Sequence, residues 1–205
     1  MIMSSCNEGN VIQDPSVSTN KSQSKIQYED IEAMNPDGTI NMIVEISAGT
    51  TGKYEMNKKS GQIELDSING KPRYINYLGY PGNYGMIPNT ILPKSEGGDG
   101  DPLDVLLLGV TQPRGSVQKV RIVGVMKLLD NGEQDDKILA VPITQKWSNV
   151  KTLADLDVYF PGSKVIISTF FTNYKTKGEM EFDRWAGDTE AMNIVNKAYE
   201  YSLVK

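Results

Sequence analysis
The sequence predicts an α+β fold: an antiparallel sheet or closed barrel with helices packed outside it. Three observations carry this. Short apolar runs rich in β-branched residues fill the middle of the chain, and helical spacing of apolar residues occurs only near its end. A length of 205 residues, with 39% hydrophobic and 23% charged side chains, suits one globular domain with a sizeable core.

In chain order, residues 1–27 are rich in Ser, Asn, Gln and Lys without apolar periodicity, and read as a flexible polar tail. The opening Met1-Ile2-Met3-Ser4-Ser5-Cys6 is similar to the last residues of a bacterial lipoprotein signal, in which a Cys after small residues becomes the lipidated N-terminus. The apolar core of such a signal is missing unless translation starts upstream. Two addresses therefore stay open: cytoplasmic, or exported and anchored through Cys6. Residues 28–205 form the single folded domain. Met42 to Ile46 reads as a strand, and Lys53 to Met56 as a second, with Lys53 and Glu55 on one face because side chains two apart point the same way. Gln62 to Leu65 alternates again, and Ile68-Asn69-Gly70-Lys71-Pro72 supplies turn residues. Three further apolar runs follow, Val105–Leu108, Val117–Leu128 and Ile138–Ile143. Helical spacing then appears at Ile166, Phe170 and Tyr174, flanked by Phe171. It recurs at Ile194, Val195, Ala198 and Tyr199 after Asp188, a candidate N-cap.

Two scarcities narrow the chemistry. The chain has no histidine, which excludes Ser-His-Asp and Cys-His nucleophile activation and the HExxH metalloprotease motif. It has one cysteine, which excludes a disulfide framework and sites built from several thiolates. Acids, bases and metal ligands must come mainly from Asp, Glu, Lys and Tyr, so magnesium, manganese or calcium are the metals to consider. A net charge of -5 argues against a nucleic-acid partner, and no apolar run approaches the roughly 20 residues of a membrane span.

The densest chemical signal is Glu96-Gly97-Gly98-Asp99-Gly100-Asp101-Pro102-Leu103-Asp104, with three aspartates in six positions. Such a cluster is either a solvated acidic loop or a nest whose mutual repulsion a cation relieves. The apolar Val105 to Leu108 follows at once and ties Asp104 to a core strand. An EF-hand starting at Asp99 is excluded, because Asp104 stands where the loop needs Gly and Val110 where it needs Glu. Gly49-Thr50-Thr51-Gly52-Lys53-Tyr54 is not a P-loop, since its glycines are too close and Tyr54 replaces the hydroxyl residue after the Lys. A second acidic stretch, Asp130 to Lys137, contains Gly132 between apolar runs and reads as a hairpin connection.

Together these residues carry more than they do singly. Asp99-Gly100-Asp101-Pro102-Leu103-Asp104, after Tyr80-Pro81-Gly82-Asn83-Tyr84-Gly85, closely resembles the signature of soluble family I inorganic pyrophosphatases, and the resemblance runs in order from Glu45 to Lys175. It implies a five-stranded OB-like closed barrel flanked by C-terminal helices. It also implies hydrolysis of diphosphate with several divalent cations, usually magnesium, with manganese or others possible. By resemblance Asp99, Asp104 and Asp135 hold the activating metals, while Asp130 and Glu45 serve those that arrive with substrate. Asp101 is similar to the family's general base. Lys53, Glu55, Arg73, Tyr80, Tyr84, Lys137, Tyr174 and Lys175 match its substrate-binding positions, with Lys53, Arg73 and Tyr84 also in the catalytic set. Family members form homo-oligomers, dimers in some lineages and hexamers in others.

The residues agree on physical grounds. Diphosphate is highly anionic, so its hydrolysis needs a carboxylate nest for cations beside a cationic nest for phosphate. A metal-dependent phosphohydrolase acting on nucleotides or phosphate esters is the alternative enzyme reading, and an oligonucleotide- or sugar-binding module the non-catalytic one. The acidic balance and the full set of candidate catalytic residues weigh against the module.

Overall fold
The apolar runs become strands because their side chains find cores on both sides. In the computed structural model, which describes residues 28–57, 60–93, 97–98, 100–175 and 178–204, they are strands of a mixed sheet. The polar tail with Cys6, and Asp99, lie outside the described residues. In order come β1 (Ile40–Ile46), β2 (Tyr54–Asn57), β3 (Gln62–Leu65), β4 (Ser67–Ile68), β5 (Lys71–Pro72), β6 (Asn83–Met86), β7 (Asp104–Leu107), β8 (Val117–Asp130), β9 (Glu133–Gln134) and β10 (Lys137–Pro142). Then follow α1 (Leu153–Tyr159), α2 (Ser163–Asn173), β11 (Met180–Gly187) and α3 (Asp188–Leu203).

Tracing the pairings from β1 through β6, β7, β10 and β8 leads back to β1, so five strands form a ring. The long β8 makes this possible. Its first residues pair β1 (Val117 with Ile43 to Val120 with Ile40), its middle pairs β10, and its last residues pair β11. Successive side chains point to opposite faces, which splits the core. Leu106, Leu139 and Val141 pack with Ile167, Phe170 and Phe171 of α2, whereas Val105, Leu107, Ile138 and Ala140 pack with Ala191, Val195 and Ala198 of α3. Burial on both faces is why these strands read as continuous apolar runs.

Several expectations change. The sheet is not wholly antiparallel: β7 and β10 run parallel, with Val105 opposite Ile138 and Leu107 opposite Ala140. A parallel pair needs a long crossover, and the whole of β8 supplies it. Strands do not all precede helices, because β11 lies between α2 and α3. Its residues Glu181 to Arg184 are exposed, so no apolar alternation announces it. The buried face of α2 is Ile167, Phe170 and Phe171, while Ile166 is 63% exposed. Asp188 is the first residue of α3 rather than its N-cap, which is Gly187, and places a carboxylate near the positive end of the helix. Both predicted turns form: Asn69-Gly70 joins β4 to β5 and Asn131-Gly132 joins β8 to β9, with positive φ at all four residues, as type I′ turns require. Among the described residues no helix is long and apolar enough to cross a membrane.

Candidate active site
Because β7 and β10 are parallel neighbours, their first residues, Asp104 and Lys137, arrive side by side at one end of the ring. There they line a cleft of about 240 Å³. Glu45 comes from β1, Tyr84 from β6, Asp135 from just before β10, and Tyr174 and Lys175 from the end of α2. The β2 edge and the segment after β5 bring Lys53, Glu55 and Arg73, and the glycine-rich loop before β7 brings Asp101.

Opposite charges alternate across this cleft. The Lys137 ammonium, 3% exposed, donates to Asp104 Oδ2 and Asp135 Oδ1, each at 2.6 Å. Burial alone would push that ammonium down, but the two carboxylates outweigh it and hold Lys137 above its ordinary range. Lys53 pairs with Glu55, Lys175 with Asp130, and Arg73 donates from Nη1 to Asp66 Oδ2 at 3.0 Å. Glu45 is the exception, a buried carboxyl with no cationic partner in direct contact among the described residues. Burial pushes it up to about 8, against the Met56 N–H that donates to its Oε1 at 2.7 Å, with the charge of Asp104 adding to the rise.

An aromatic cluster backs one side of the cleft, with Tyr84 and Tyr174 lining it. Tyr80 lies 5.3 Å from Tyr84 and 5.2 Å from Phe170 between ring centroids, and Phe170 stacks on Tyr174 at 5.5 Å. Desolvation raises the hydroxyls of Tyr84, Tyr80 and Tyr174 well above the ordinary phenol range, so each remains a neutral donor at any working pH.

Most residues singled out from the sequence converge here. Tyr80 lies behind Tyr84, only 2% exposed, and Asp130 reaches the cleft through Lys175 rather than lining it. Asp99 falls outside the described residues. Met56, Met86 and Pro102 also line the cleft, and Asp66 stands behind Arg73. For the methionines no sequence signal exists, since an apolar residue on a strand reads as core. Asp66 lay in plain view between the strand Gln62–Leu65 and its turn, but only the fold shows which cation it faces.

Glu45, Asp104 and Asp135 offer only carboxylate oxygens, a donor set that fits a hard cation such as magnesium. Among the described residues no three acidic side chains form a ready-made cage, and Lys137 stands between the two nearest.

The described geometry matches known proteins over most of the chain. Residues 42–202 match the family described as inorganic pyrophosphatase. An inorganic pyrophosphatase of Xanthomonas campestris is 39% identical over 166 residues, covering 78% of this chain and 88% of the relative. The crystal structure of the enzyme from Neisseria gonorrhoeae superposes with a TM-score of 0.72 at 33% identity, covering 86% of this chain and 98% of that one. A truncated vacuolar soluble pyrophosphatase of Trypanosoma cruzi, solved in complex with PPi, superposes with a TM-score of 0.75 at 25% identity, over 84% of this chain and 72% of its own. With its sequence signature, its fold and its relatives in agreement, the chain belongs to the family I inorganic pyrophosphatases.

Proposed function
We propose that this protein hydrolyses inorganic diphosphate to two orthophosphates, with magnesium as the usual activating cation. The observation that carries the reading is the convergence of five carboxylates, Glu45, Glu55, Asp101, Asp104 and Asp135, and four cationic side chains, Lys53, Arg73, Lys137 and Lys175, in one small cleft. Its 240 Å³ falls below the roughly 300–1,000 Å³ of pockets that enclose drug-sized ligands, which favours a compact inorganic anion over a nucleotide. The complex of the Trypanosoma cruzi relative with PPi supports the same substrate.

Glu45, Asp104 and Asp135 would hold the cations, together with Asp99 and Asp130. When bound, the cations neutralise phosphoryl oxygens and make a water easier to deprotonate. The chain's own groups do the rest. Arg73 offers phosphate a forked donor, the lysines point charges, and the tyrosine hydroxyls neutral hydrogen bonds. Asp101, exposed at the rim, takes the proton from the attacking water as that oxygen bonds to one phosphorus. The bridging P–O bond breaks and the second phosphate leaves. The loop between Gly100 and Asp104 suits such a base, because Pro102 stiffens it and β7 anchors its end. The ring of strands is read as the five-stranded OB-like closed barrel, the assembly as a homo-oligomer, and the address as the cytoplasm.

The test is phosphate release from diphosphate, ATP and a nucleoside diphosphate, each with and without magnesium or manganese. Release from diphosphate, dependent on the cation and far faster than from either nucleotide, is expected. No release from diphosphate with any divalent cation would overturn the reading.

A further inference from the structure
Arg73 is the only arginine among the described residues that line the cleft, and the main chain fixes its α-carbon closely. Lys53 N–H donates to Arg73 O at 3.0 Å, Arg73 N–H to Asp66 O at 2.8 Å, and Asp66 N–H to Lys53 O at 2.8 Å, which closes a cycle among three segments. The bridge between Gly52 and Tyr74, and the bond from Ile75 N–H to Thr51 O at 2.7 Å, extend it. That cycle places the start of a long, rotamer-rich side chain and leaves its end undetermined. The end is set elsewhere. Asp66 Oδ2 accepts from Arg73 Nη1 at 3.0 Å, while the Ser67 N–H donates to Asp66 Oδ1 at 2.7 Å and steadies the carboxylate. Among the described residues one nitrogen of the guanidinium is engaged by a side chain, which leaves the rest of its fork for phosphate. Asp66 itself does not line the cleft.

We propose that Asp66 is a positioning residue: its carboxylate aims the Arg73 guanidinium at the substrate phosphate and lowers binding cost without touching the substrate. The inference rests on the reading of the cleft as a diphosphate site. The hydrogen bond and charge of Arg73 hold the Asp66 carboxyl below its ordinary range, so this partnership persists across the working pH. The backbone cycle does not depend on the carboxylate, so its removal is a local change. An arginine free to swing must be ordered again when substrate arrives, and that cost falls on binding.

The experiment compares steady-state kinetics on magnesium diphosphate for the wild type, Asp66→Ala, Asp66→Asn, Arg73→Lys and the double variant Asp66→Ala with Arg73→Lys, each checked by thermal melting. Asp66→Ala is expected to raise KM about tenfold with kcat within about twofold, the size of one lost charge-assisted contact. Asp66→Asn, whose amide oxygen still accepts from Arg73, should recover part of that loss, as a merely structural role would not require. In the double variant the two effects should fall well short of multiplying. An unchanged or lowered KM in Asp66→Ala, an Asn variant no better than the alanine, or fully multiplicative effects would overturn the inference. If Asp66→Ala does not fold, Asp66→Ser takes its place, keeping a short acceptor for the Ser67 N–H while withdrawing from Arg73. Absence of turnover in the wild type would instead remove the diphosphate reading, which separates the two failures.

Discussion

At the scale of single residues, the lysines and the arginine of the cleft each have a carboxylate partner, whereas Glu45, among the described residues, has no cation in direct contact. Lys137 sits between two carboxylates, and Lys53, Arg73 and Lys175 each face one. Glu45 faces Lys53 only at a distance, with Glu55 and Asp104 opposing its ionisation and the Met56 N–H favouring it. Its folded pKa, about 8 against an ordinary 4.5, means that the native chain binds the proton more tightly than the unfolded one. Stability of the metal-free protein should therefore fall as pH rises between those two values, by up to about 1.4 kcal/mol per pH unit, and level off outside them. Urea unfolding in chelator at three pH values inside that window, compared with Glu45→Gln, checks this, since the variant should lose the slope. Asp101 is expected to behave differently. Asp101→Asn should fold and bind magnesium like the wild type while losing about 100-fold or more in kcat, the scale of a missing general base. Calorimetric metal titration beside a turnover assay decides it, and near-normal hydrolysis would leave Asp101 as one more ligand.

At the scale of elements, β6 shows how tightly the ring is drawn around the site. It carries Tyr84 into the cleft and Asn83 away from it. Asn83 Oδ1 accepts from Gln112 N–H at 2.7 Å and Ala48 N–H at 3.1 Å, while its Nδ2 donates to Val110 O at 2.9 Å. Between β6 and β1 the backbones approach so closely that a Cβ on Gly85 would lie 1.9 Å from Ile43 O. The register of β1 shifts between Val44 and Ile46, at the position of Glu45. Gly85→Ala should thus cost about 3 kcal/mol or more and displace Glu45 and Tyr84 together, read as a lowered melting temperature with a disproportionate loss of activity. β6 was hard to see in the sequence because Asn83 and Gly85 are poor strand formers, and with all four residues buried there is no alternation to detect. The capping box of α1, in which Thr152 and Asp155 exchange hydrogen bonds, was in principle legible, since Thr followed three residues later by Asp is a start signal.

At the scale of the whole molecule, a chain of net charge -5 gathers carboxylates at one end of the ring and balances them with lysines and an arginine. A divalent cation that binds only the folded state should add stability by mass action. Magnesium at about 100 times its Kd is expected to add about 2.7 kcal/mol, a rise in Tm on the order of 5–10 °C for a domain of this size. Differential scanning fluorimetry with magnesium and with chelator measures the shift, and Asp104→Asn should reduce it, because Asp104 lines the cleft and shares the Lys137 ammonium with Asp135.

The sequence by itself determined the strand runs of the middle, the two Asn-Gly turns, the exclusion of histidine and thiolate chemistry, and the ordered polar residues from Glu45 to Lys175 that mark the family. These are local or one-dimensional properties, written in spacing and residue type. Only the tertiary structure decided that β7 and β10 run parallel, that Asp104 and Lys137 therefore meet, that Glu45 is buried with no cation in direct contact among the described residues, and that Asp66 stands behind Arg73. Each of these depends on which segments the ring brings together from distant parts of the chain. Burial and charge pairing belong to that arrangement, and no residue carries them in its identity alone.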